Sequence, residues 1–193
     1  MNRAFDLVVM GGSAGAIDVL RAVLSRLPED FPAAVAVVIH IPAQGPGLLP
    51  EVLTTPGAPR MKVAEDKEPI LPGTIYFAPP DYHLLVESGR TFALSLDDRV
   101  HFSRPAIDVL FESAASAYGA RLLGVILSGA NTDGAQGLRA VAAAGGMTVI
   151  QSLESSEMIA MPAAALQAAP DSIEVDPAGI AALLRRGGKV QSA

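Results

Sequence analysis

With 193 residues, half of them hydrophobic and 18% charged, the chain has apolar material for one large core, which excludes both a disordered polypeptide and a tandem enzyme. Its net charge of −6, without a long basic run, offers no phosphate-neutralising surface, so nucleic acid is not an expected partner. The absence of cysteine removes disulfides, thiolate metal sites and a cysteine nucleophile. The longest apolar run, Ala33 to Ile39, falls far short of the roughly 20 residues that span a bilayer. Asp6 also interrupts the stretch where a signal-peptide core would lie. The expectation is a single cytoplasmic domain over residues 1–193, with no membrane insertion, no metal and no cofactor.

In chain order, the apolar run Leu7 to Met10 ends in Gly11-Gly12-Ser13-Ala14-Gly15-Ala16, and helical spacing of Val19, Leu20, Val23 and Leu24 follows until Pro28. That is a strand, a glycine turn and a helix. Ala34 to Ile39 has the valine-rich continuity of a parallel strand buried on both faces, and it ends at His40-Ile41-Pro42. Between Gly45 and Arg99, prolines at 46, 50, 56, 59, 69, 72, 79 and 80 bracket short stretches at Thr74 to Ala78, His83 to Val86 and Thr91 to Leu96. These predict a small antiparallel excursion. Ser103 is the expected N-cap of a helix with Pro105 in its first turn, carrying the stripe Ile107, Val109, Leu110, Phe111 and Ala114. Leu122 to Leu127 repeats the buried-strand signature and ends in Ser128-Gly129-Ala130-Asn131-Thr132-Asp133-Gly134. Gln136 to Ala144 reads as helix, Met147 to Ile150 as strand, Pro162 to Ala168 and Pro177 to Arg186 as closing helices, and 187–193 as a loose tail.

Alternating βα units predict an α/β fold, a doubly wound and mostly parallel sheet with helices on both faces. In such sheets ligands bind beyond the carboxyl ends of the strands. Three loops qualify: Gly11 to Gly15, His40 to Gly47 and Ser128 to Gly134. Each offers one member of a nucleophilic set: Ser13, His40 and Asp133. A serine hydroxyl needs a base, imidazole is suited to that work near neutrality, and a carboxylate fixes its tautomer. Gly11-Gly12-Ser13-Ala14-Gly15 satisfies G-x-S-x-G in a strand-to-helix turn. The order serine, histidine, acid is not that of the α/β-hydrolases.

Each residue also has a plain reading: a glycine turn with a capping serine, a core histidine, a turn aspartate. His83 and His101 end no predicted buried strand. Asp6 and Asp18 sit at the wrong end of a strand or on a helix, while Asp81 and Asp108 lie outside the three loops. A dinucleotide- or phosphate-binding module is the competing class, but Met10 stands where its first glycine belongs, and His40 where a ribose-binding acid is needed.

Taken together, Gly11-Gly12-Ser13-Ala14-Gly15-Ala16, Val38-Ile39-His40-Ile41-Pro42, Ala64-Glu65-Asp66, Leu71 to Pro79, Arg104 to Phe111 and Leu127 to Ala135 resemble the catalytic domain of the CheB protein-glutamate methylesterases of bacterial chemotaxis. The blocks occur in family order over nearly the whole chain. The resemblance implies a serine hydrolase that demethylates glutamyl methyl esters of methyl-accepting chemoreceptors, and in some members deamidates receptor glutamines. A retained but catalytically impaired scaffold is the other outcome to test. The family triad maps onto Ser13, His40 and Asp133, and the backbone N–H groups of Ala14 and Ala130 are the expected oxyanion donors. Family members usually carry a receiver domain ahead of this one. Here the blocks begin at Leu7, so the expectation is a chain without a receiver, active without phosphorylation and governed by a separate partner or by expression.

Some positions depart from the family pattern. Gly12, Ala14 and Ala16 differ from the usual G-A-S-x-G-G turn. In the third loop Ala130 replaces a methionine and Asn131 a glycine, which predicts altered substrate fit and a changed loop conformation.

Overall fold

The computed structural model describes residues 5–40 and 49–187. Seven parallel strands form one sheet: β1 (Leu7–Gly12), β2 (Ala34–Ile39), β3 (Arg60–Val63), β4 (Thr74–Phe77), β7 (Leu122–Ile126), β8 (Met147–Gln151) and β9 (Ile173–Val175), in the spatial order β3-β4-β2-β1-β7-β8-β9. β5 (His83–Val86) and β6 (Phe92–Ser95) pair separately as an antiparallel hairpin. The helices are α1 (Ala16–Leu24), α2 (Leu49–Leu53), α3 (Ile107–Tyr118), α4 (Ala135–Ala143), α5 (Ala160–Ala168) and α6 (Pro177–Arg185).

Alternation along β1 divides the core in two. Leu7 and Val9 face a cluster containing Leu110 and Phe111 of α3, Leu138 and Val141 of α4 and Met161 of α5. Val8 and Met10 face Leu20, Val23 and Leu24 of α1 and Ile180, Ala181 and Leu184 of α6. Helices therefore cover both faces of the sheet, and β1, β2 and β7 are buried along their whole length. That is why these strands lack polar alternation.

The chain winds outward from β1 to β2 on one side and resumes at β7 on the other. The switch point thus lies between β1 and β7, where the Ser13 and Asp133 loops emerge.

Two local expectations need correction. Thr74 to Ala78 is not part of the antiparallel excursion: β4 is a parallel strand of the main sheet, between β2 and the edge strand β3. β3, with the sequence Arg-Met-Lys-Val, is partly exposed along its length and has the charged character of a protected edge. Ser103 does not cap α3. The helix starts at Ile107 after a cis Arg104–Pro105 peptide, and its N-cap Ala106 supplies no side-chain acceptor. The predicted tail falls mostly at 188–193, outside the described residues.

Candidate active site

The three loops meet through backbone hydrogen bonds that prolong the sheet. The register of β1 and β2 ends at Gly12 opposite Ile39, and His40 N–H then donates to Gly12 O at 3.1 Å. Ser13 and His40 are thus side by side, one step beyond the last strand pair. Ser13 N–H donates to Ser128 O at 2.9 Å, tying the serine turn to the loop after β7. Gly15 begins the turn into α1 at φ +78°, and a Cβ there would lie 2.7 Å from that of Glu157. Glycine meets both requirements.

Asp133 is fully buried, and His40 retains 12% side-chain exposure. Their side chains meet at 2.9 Å between His40 Nε2 and Asp133 Oδ2. The same carboxylate accepts the N–H groups of Ile107 at Oδ2 (2.7 Å) and Asp108 at Oδ1 (2.9 Å). Those are the first two residues of α3, so Asp133 supplies from a distance the cap that the local sequence lacks. Burial alone pushes the Asp133 carboxyl up. The bonds from His40 and from the Asp108 and Ile107 N–H groups outweigh it, and the group is held below its ordinary value. An ionised Asp133 only accepts, which places the ring proton on Nε2 and leaves Nδ1 as the ring's acceptor.

Asn131 stands at that acceptor, with Nδ2 3.3 Å from His40 Nδ1. Its Oδ1 accepts Asp133 N–H at 3.2 Å, which fixes the orientation of the amide. Asn131 does not take a positive φ. Its side chain instead bridges the His40 ring and the Asp133 backbone, contacts that a glycine at that position could not make.

The neighbouring acid, Asp108, is also buried. Its Oδ1 accepts Gly137 N–H of α4 at 2.7 Å, and its Oδ2 lies 3.2 Å from His101 Nε2. Burial, and the nearby charge of Asp133, push the Asp108 carboxyl up against the opposing Gly137 and His101 contacts. His101, Asp108 and Asp133 present atoms within 4.8 Å of one another. These oxygens are already engaged by N–H donors and by His101, so the trio is a hydrogen-bonded support rather than an open ligand set.

The remaining rivals are placed elsewhere. His83 is buried with Nδ1 accepting Ala106 N–H and Nε2 on Asp98 O, a core histidine. Asp81 pairs with Arg99 and Arg104.

The N–H groups of Ala14 and Ala130 make no hydrogen bond among the described residues. Two supports went unread in the sequence. Buried Ser128 receives Met158 N–H at its Oγ (2.9 Å) and donates from it to Ala14 O (2.8 Å). Buried Gln151 accepts Ser128 N–H through Oε1 and donates through Nε2 to Ser155 O. A polar residue closing the apolar strand β8 was the available signal for Gln151. A cavity of about 280 Å³ opens beside this loop, bordered by His101, Thr132, Gln136 and Gln167. The arrangement sets Ser13 on the strand end next to His40, whose imidazole is held at one nitrogen by a buried carboxylate.

Comparison with known proteins gives the same architecture. The CheB methylesterase family model matches residues 8–184. The crystal structure of the Thermotoga maritima CheB methylesterase catalytic domain superposes with a TM-score of 0.89 at 30% identity, covering 94% of this chain and 98% of that one. A Xanthomonas oryzae protein named protein-glutamate methylesterase/protein-glutamine glutaminase 2 is 39% identical over 175 residues, 88% of this chain and 49% of its own length. A Leptospira interrogans protein bearing the same two activity names is 44% identical over 164 residues, 85% of each chain.

Proposed function

The chain belongs to the CheB methylesterase family, and from that premise we propose that it is a serine esterase that converts glutamyl methyl esters of a methyl-accepting chemoreceptor to glutamate and methanol. The observation that carries the reading is the buried Asp133 bonded to His40 Nε2, with Ser13 on the adjacent strand end. Ser13 Oγ attacks the ester carbonyl while His40 Nδ1 takes its proton. Asp133 holds the Nε2 proton and stabilises the imidazolium that forms. The negative charge that develops on the carbonyl oxygen is met by the N–H groups of Ala14 and Ala130. The imidazolium then protonates the departing methoxide, leaving an acyl-enzyme and methanol. Water repeats the sequence in reverse and releases glutamate. A glutamine side-chain amide entering the same site would release ammonia, the second activity in the relatives' names.

Exposed apolar side chains near the loop suit a protein substrate. Met158 and Ile159 are exposed in a segment bonded to Ser128 and Gly129, and Phe102, next to His101, is 96% exposed. No helix among the described residues is long and apolar enough to cross a membrane, and we place the reaction at the cytoplasmic part of the receptor.

The test is methanol release from methylated receptor. Wild type should release it, and Ser13→Ala or His40→Ala should lose activity by several orders of magnitude with the fold retained. Near-wild-type turnover in either variant rules the assignment out.

A further inference from the structure

Both nitrogens of His40 are engaged: Nε2 with Asp133 at 2.9 Å and Nδ1 with the Asn131 amide at 3.3 Å. A neutral imidazole has one lone pair in the ring plane, and here the Asn131 N–H occupies it. No hydrogen bond joins Ser13 Oγ to the ring among the described residues. The serine proton therefore has no free nitrogen to go to until the Asn131 contact opens.

We propose that Asn131 is a positioning residue that holds His40 by its base nitrogen, Nδ1, and must release it before Ser13 can be deprotonated. The inference rests on the serine-esterase reading and adds a resting state to it. The amide cannot simply rotate to offer its oxygen instead, because Asn131 Oδ1 accepts Asp133 N–H. Nor can it stay once the ring is protonated, since two N–H donors would then face each other. The same contact thus orients the neutral ring and opposes the imidazolium. Opening it costs about one hydrogen bond, so the competing contact should slow serine acylation roughly five-fold.

Among the described residues, the other titratable groups on this side are Asp133, bonded to Nε2, and Asp108 and His101, whose ligand atoms lie within 4.8 Å of those of Asp133. Glu157 packs over Gly15 on the opposite rim. All four are retained in the variants below, so their fields are common to each comparison.

The test uses protein labelled with ¹⁵N-histidine, with His40 assigned by its loss in His40→Ala, together with the rate of acylation by a fluorophosphonate. Asn131→Ala should move the Nδ1 resonance downfield, toward a pyridine-type nitrogen without a donor, leave Nε2 in place, and raise the acylation rate about five-fold. Asn131→Asp keeps the acceptor for Asp133 N–H but replaces the donor at Nδ1 with a carboxylate. It should protonate Nδ1 near neutral pH and cut acylation at least about ten-fold, the loss expected when the base is occupied. A purely structural role predicts instead that Asn131→Asp, with its loop bond intact, behaves as wild type. That result, or an unmoved Nδ1 resonance in Asn131→Ala, overturns the proposal. Acylation surviving in Ser13→Ala would sink the esterase reading, while the Nδ1 resonance would still report on Asn131.

Discussion

Asp133 draws three N–H groups to one buried carboxylate: the His40 ring and the first two amides of α3. Those donors hold its carboxyl below the ordinary value against burial, which pushes it up. In Asp133→Asn one oxygen is replaced by a donor, which favours the wrong imidazole tautomer and in triad enzymes costs about 10⁴ in kcat. The sign of the linked pH effect follows from the depressed native value. The unfolded carboxyl takes up its proton near pH 3.9, before the native one does. Wild type should therefore hold its full stability advantage over Asp133→Asn above about pH 4, and lose it as pH falls further through the native value. Urea midpoints of the two proteins from pH 7 to pH 3 would show this. An advantage that grew on acidification would contradict the assignment. At this scale the placement of Ser13, His40 and Asp133 at neighbouring strand ends was legible because each directly follows, or lies in the loop after, an apolar strand. The role of Asn131 was not, because a departure from a glycine pattern suggests a backbone change and reveals nothing about a side-chain contact made 91 residues away.

Helices α3 and α4 cap one another. Asp133, just before α4, accepts the first amides of α3, while Asp108, in the first turn of α3, accepts Gly137 N–H in the first turn of α4. The two helices approach so closely at Gly137 that a Cβ there would lie 2.5 Å from Phe111 Cβ. Gly137→Ala should consequently cost about 1 to 3 kcal/mol through overpacking, and lower kcat by displacing α3 from Asp133. Asp108→Ala leaves a buried amide unpaired, a loss of about 1 to 3 kcal/mol. Asp108→Asn keeps an acceptor for Gly137 and removes a buried charge whose native carboxyl is raised. It should therefore be the milder variant at pH 7. A raised native carboxyl binds its proton at higher pH than the unfolded chain does, so wild type also gains stability from Asp108 as pH falls through that native value, and Asp108→Asn does not. Chemical denaturation orders the variants; Asp108→Asn less stable than Asp108→Ala would refute the reading. This cross-capping explains the misplaced start of α3. Ser103 satisfies a local capping rule, but the acceptor that serves this helix, Asp133, lies 26 and 25 residues beyond the Ile107 and Asp108 amides it accepts. β3, β9 and α2 escaped notice for a different reason, being three to five residues long, too short for periodicity to register.

Across the molecule, the strand order converts three distant sequence segments into one site. β2, β1 and β7 are consecutive neighbours in the sheet, so the turns after them must emerge at the same edge, and the buried cores on both faces hold those edges rigid. The alternation of buried strands and amphipathic helices made this arrangement readable in the sequence. The insertion of β4 into the main sheet was not, because prolines at 72 and 79 frame it like an isolated loop strand. The central claim is that Ser13 is a nucleophile activated by His40. Its most direct test is intact-mass and peptide-mapping analysis after exposure to a fluorophosphonate. The account predicts one adduct per chain, on Ser13, formed by the wild type and slowed at least about 10²-fold in His40→Ala. An adduct on another residue, or unchanged labelling of Ser13 without His40, would contradict it.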